Sequence, residues 1–191
     1  MSDPTYLKAF KELLKQHPQT EDLPAMEQEF YGESTRAVIL LSSSAVDIAL
    51  QEAIARLMRS HTDVKALFDF DRPLGSFSAK IRVSFGLRIY DQITYRDLEI
   101  VRELRNGFAH SRLALDFNTK EVAAMCMQLK LPDSDKAMFP EPIKGSKIDP
   151  AVYKDISKPK GRFLTTCHTA ALHLIMFVGQ GGDIARLPIL P

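Results

Sequence analysis

Residues 34–60, STRAVILLSSSAVDIALQEAIARLMRS, decide how the rest of the chain is read. Apolar side chains run almost all round the first half of this stretch: Val38 to Leu41, then Ala45, Val46 and Ile48 to Leu50. A helix that is apolar on every side is normally buried at the centre of a bundle. The remaining chain must then supply the helices that cover it.

It does so on both sides. Upstream, Pro4 opens a helix with Tyr6, Phe10, Leu13 and Leu14 on one face, stopping before Pro18. Residues 19–32 read as loop with a short turn of helix. Downstream comes a short helix at 63–68, a break at Pro73 and Gly75, and a new helix from about Ser76 with Ile81, Phe85 and Leu87 inward. Thr94, with Asp97 three residues on, is a near capping box. It opens a helix bearing Tyr95, Leu98, Val101, Leu104 and Phe108 at 3–4 spacing. Residues 118–131 and 163–178 supply two more. Between them, residues 132–161 hold five of the eleven prolines and six lysines, an irregular connection of functional length. With no convincing strand pattern and no internal repeat, the expected fold is an all-α, single-domain helical bundle over residues 1–191.

Charge and composition narrow the function. The chain has 191 residues, 45% hydrophobic and 26% charged, with Lys+Arg 25 against Asp+Glu 24, a formal +1. A duplex-binding domain usually shows a basic excess, so net charge does not support DNA or RNA binding without a local patch. Lys144, Lys147, Lys154, Lys158 and Lys160 are the candidate patch, or simply a solvated loop. Cys126 and Cys167 make no disulfide framework. Cys167, His168 and His173 are spaced so as to scatter round a helix, so no metal and no cofactor is expected. The N-terminus carries charges where a signal peptide needs an apolar core, and the most apolar run, residues 170–178, is shorter than the ~20 residues of a membrane span. A cytoplasmic protein is expected.

The polar residues that ask for explanation lie in residues 103–111, ELRNGFAHS. Arg102, Asn106 and His110 fall on one helical stripe, with Arg105 on its edge. Two guanidinium groups beside an imidazole make either a network that closes a helix end or an anion-binding surface with a proton carrier. Asp47, on the mainly apolar central helix, is either paired, because an unpaired buried charge is costly, or partly exposed and facing water. Arg102 and Arg105 are the candidate partners by type. A second constellation, residues 72–82 (RPLGSFSAKIR), gathers Ser76, Ser78, Lys80 and Arg82 at a helix N-terminus, as capping or as an anion site. No nucleophile elbow, dinucleotide fingerprint or helix-turn-helix is present.

Taken in order, SAVDIALQEAI, PLGSFSAKIRVSFGLRIY and LEIVRELRNGFAHS resemble the mannitol operon repressor (MltR) family of bacterial regulators, over roughly residues 34–130. The resemblance implies an α-helical protein assigned to transcriptional repression, without a familiar DNA-reading motif, acting through a protein partner or small ligand. More loosely, ELRNGFAHS resembles the Arg-x4–6-His motif of HEPN-domain proteins, many of them metal-independent RNases. That implies Arg105 and His110 as catalytic residues, with Asn106 following the arginine and two protomers bringing two copies together. A non-catalytic scaffold is the third reading, and a homodimer is the expected assembly.

Overall fold

The computed structural model describes residues 34–138 and 154–179, apart from positions 59, 112 and 114. The expected first helix with Tyr6 and Phe10, together with Lys144 and Lys147, lies outside the described residues. Within them the chain is helical and contains no strand: α1 (Thr35–Leu57), α2 (Thr62–Ala66), α3 (Phe77–Gly86), α4 (Gln92–His110), α5 (Lys120–Cys126), a 3-10 turn (Leu131–Asp133) and α6 (Pro159–Gly179).

The central helix is where its composition places it. Ser34 opens α1, its hydroxyl accepting the Ala37 N–H at 3.3 Å, and α1 then packs against α3, α4 and above all α6. Val38, Ile39, Val46, Leu50, Ala53 and Ile54 are wholly removed from water and share one core with Leu98, Val101, Phe108, Phe163 and Phe177. Each buried Val, Leu, Ile or Phe side chain among them contributes roughly 1.5–3 kcal/mol on leaving water. By length and composition alone α1 could cross a membrane, but half of its most apolar window is buried inside the bundle. It is longer than residues 170–178, the run singled out from the sequence.

Three boundaries differ from the sequence expectation, each for a reason in the tertiary structure. First, α4 is opened by Asp91, whose Oδ1 accepts the Thr94 N–H at 2.9 Å. Asp97 is not part of a cap at all. It is buried and turned to the other end of α5, where Oδ2 accepts the N–H groups of Lys130 (2.8 Å) and Leu131 (2.7 Å). Second, α5 stops at Cys126 instead of running to 131. Those two amides are claimed by Asp97, and Pro132 has no N–H to continue a helix. Third, α6 begins at Pro159, four residues early, with proline in the first turn, where its missing N–H costs nothing. Gly161 is required there: a Cβ would stand 2.2 Å from the Asp155 carbonyl oxygen.

The segment expected to be irregular is therefore partly built into the fold. Leu131 and Pro132 are buried, and the Met138 N–H donates to Thr169 Oγ1 at 3.0 Å. Arg162, 8% exposed, donates to the Leu129 carbonyl (2.6 Å), the Ile156 carbonyl (3.1 Å) and both Asp133 oxygens (2.6 and 2.8 Å). One guanidinium thus ties the turn after α5 to the start of α6.

Candidate functional site

Leu98, Val101, Leu104 and Phe108 turn one stripe of α4 into the core. That leaves Arg102, Arg105 and Asn106 half-buried and His110 exposed on the outer side. The helix runs unbroken through Gly107, beside which a Cβ would meet nothing within 4 Å. It ends with the Ser111 N–H on the Gly107 carbonyl at 2.9 Å. The last carbonyls are closed from another helix. Arg36 of α1 donates to the Phe108 carbonyl and to the Leu113 carbonyl at 3.1 Å, its guanidinium 6.0 Å from the Phe108 ring centroid. The capping role that the sequence assigns to Asn106 and His110 thus belongs to Arg36. Its only signal in the sequence is a lone cation at the start of an apolar helix.

The stripe itself divides. Arg102 lies against Glu99 (2.8 Å) and Glu103, and Arg82 stands 3.9 Å from Glu99, so this part of the surface is a ladder of paired charges. Arg105 donates to Asn106 Oδ1 at 3.1 Å. Arg105, Asn106 and His110 together form the accessible remainder, able to offer hydrogen-bond donors to an anion.

Asp47 does not join them. Its partner is Lys80 of α3, with Nζ 2.9 Å from Oδ1 and 3.3 Å from Gln51 Oε1. The expected pairing with Arg102 or Arg105 fails because Asp47 faces α3, while those arginines look outward from α4. The same contact removes Lys80 from the expected anion site: it is 4% exposed and already neutralised. Ser76 caps α3 by accepting the Ala79 N–H at 3.1 Å, and Ser78 is half-buried. Ser76, Ser78 and Lys80 therefore serve the helix start and the core.

Two polar knots were missed from the sequence, because each joins residues more than 25 positions apart. One is Asp97 with the amides of Lys130 and Leu131; burial pushes its carboxyl above the usual range, against the pull of those two donors. The other is Arg162 with Asp133, where the guanidinium holds the Asp133 carboxyl below the usual range. A third pair joins Lys136 to Asp91 at 2.6 Å. His168 is pushed down to about 4 by burial, and the Cys126 thiol is pushed up to about 12; neither is poised for chemistry near neutral pH. Among the described residues no group of three or more His, Cys, Asp or Glu side chains is placed to hold a metal ion.

Comparison with known proteins adds a likeness of fold. No family model and no curated protein matches the sequence. Among solved structures, the chain is similar to a chain of the MtlR–HPr complex from Escherichia coli. The TM-score is 0.52 at 20% identity, and the match covers 85% of this chain and 99% of that one. At this identity the likeness is one of fold.

Proposed function

We propose that this chain is a transcription regulator resembling the mannitol operon repressor, one that acts by binding a protein partner and not by reading DNA through a helix-turn-helix. The observation that carries the reading is the fold match over 99% of a chain taken from a complex of MtlR with HPr. The sequence motifs described above, in the same order along residues 34–130, point the same way. Charge supports the protein-partner route. The formal charge is +1, and of the cations named in the site, Arg102 and Lys80 are neutralised by carboxylates. The chain as a whole carries no basic excess for phosphate neutralisation, on which duplex binding depends. A cytoplasmic location belongs to the same proposal.

The test is isothermal titration of the purified chain with HPr, alongside duplex DNA from the chain's own upstream region over a salt series. The reading expects saturable binding of HPr and only weak DNA binding. Tight DNA binding that falls steeply with salt, with no heat from HPr, would reverse it in favour of a direct repressor.

A further inference from the structure

The two ends of α3 carry surfaces of opposite character. Before α3, Asp69, Phe70 and Asp71 form the tip of a turn. Phe70 is 97% exposed, the most exposed of the large apolar residues in the described chain. It is not on a loose loop. The Arg72 N–H donates to the Asp69 carbonyl, the Leu74 N–H to the Leu67 carbonyl and the Gly75 N–H to the Arg72 carbonyl, each at 2.9 Å. Gly75 lets the tip fold back, since a Cβ there would lie 2.2 Å from the Asp69 oxygen. A phenyl ring held in water by a braced turn, between two exposed carboxylates, is a preformed anchor. Asp71 has only a weak contact at 3.8 Å with its neighbour Arg72.

After α3, the chain presents Leu87, 37% exposed, and exposed Arg88. Arg88 has φ 59°, the one non-glycine residue in the left-handed region among the described residues. The turn is a Schellman motif: the Ile89 N–H reaches the Ser84 carbonyl at 3.0 Å and the Arg88 N–H the Phe85 carbonyl at 2.9 Å. Glycine is the usual residue at that position, and a side chain there costs about 1 kcal/mol. An arginine is kept there, beside an exposed leucine and with no ion pair among the described residues.

We propose that α3 is the seat of a two-fold interface with a second copy of this chain, the two α3 helices lying antiparallel. The Asp69–Phe70–Asp71 turn of each then meets the Leu87–Arg88 turn of the other. The ring and its two carboxylates lie before the N-terminus of α3 and the guanidinium lies after its C-terminus, so antiparallel helices set the ring end of each copy against the cation end of the other. Half-buried Ala79 leaves the helices room to approach. A single copy cannot satisfy the two ends itself, because α3 rises about 15 Å between them. The contact is self-complementary, as a closed dimer requires.

Sedimentation velocity over a micromolar concentration series tests this, with far-UV melts confirming the fold of each variant. The wild type is expected to dimerise, more weakly as salt rises. Phe70→Ala should raise the dimer Kd about ten-fold or more. Asp71→Arg and Arg88→Glu should each weaken the dimer strongly when alone and recover pairing when mixed, since the mixed pair keeps one native Asp71–Arg88 contact and reverses both signs at the other, leaving only Asp69 beside a like charge. A wild type that stays monomeric, a Kd untouched by Phe70→Ala, or charge variants that fail to pair on mixing would each overturn the proposal.

Discussion

Replacing Asp97 by alanine tests the knot that ends α5. Asp97 is 1% exposed, and its Oδ2 takes both the Lys130 and the Leu131 N–H at 2.8 and 2.7 Å. Leu131 is wholly buried, so its amide cannot turn to water; leaving a buried donor unsatisfied costs about 1–3 kcal/mol. Lys130 is exposed, and its amide can be partly rehydrated, adding about 1 kcal/mol. Removing a buried carboxylate returns some of its desolvation cost, so the net loss is about 2–3 kcal/mol. For a chain of this size that lowers Tm by about 4–12 °C. Equilibrium urea unfolding read by far-UV circular dichroism gives the free energy, and thermal melts give the shift. Asp97→Asn is expected to fall between, because its amide nitrogen would face one of the two N–H groups. If Asp97→Ala lies within about 0.5 kcal/mol of wild type, the carboxylate does not hold the turn.

Three further outcomes are expected. Because Arg162 holds Asp133 below the usual carboxylate range, the charged pair contributes stability above the unfolded value of about 3.9 and loses it as pH falls through the lowered folded value. The gap in urea midpoint between wild type and Asp133→Asn should therefore hold from neutral pH to about 5 and close in acid; a gap unchanged down to pH 2 contradicts the pairing. Gly75→Ala and Gly107→Ala should act in opposite directions. The first forces a Cβ to within 2.2 Å of a backbone oxygen, whereas the second adds one in open space inside a helix. Unfolding free energies are expected to drop by about 2 kcal/mol or more for Gly75→Ala and to rise by about 0.5–1 kcal/mol for Gly107→Ala. His110 is exposed, so His110→Ala should leave stability within about 0.5 kcal/mol, and single-stranded RNA incubated in EDTA should stay intact with both proteins. Cleavage by wild type alone would replace the regulator reading with a ribonuclease using Arg105 and His110.

Much of the architecture was legible because it rests on periodicity. The inward residues of α4, Leu98, Val101, Leu104 and Phe108, are the ones that 3–4 spacing selects. α1 is central because no other place in a bundle tolerates apolar residues all round. The caps were less legible. Ser34 and Ser76 act through an amide three residues away, whereas the end of α4 is closed by Arg36, 72 residues distant from Phe108.

The candidate site shows the same division. By itself the sequence determined that Arg102, Arg105, Asn106 and His110 lie on one outer side of a helix, that Asp47 is either paired or partly in water, and that Lys80 follows a capped helix start. Helical geometry and the cost of a buried charge require that much, and both are local. Which cation meets Asp47, which acid meets Arg162 and what ends α5 were decided only by the tertiary structure. Those partners are distant in the chain, and nothing in a charged residue's type or spacing says which opposite charge the packing of α1, α3 and α6 will bring within 3 Å.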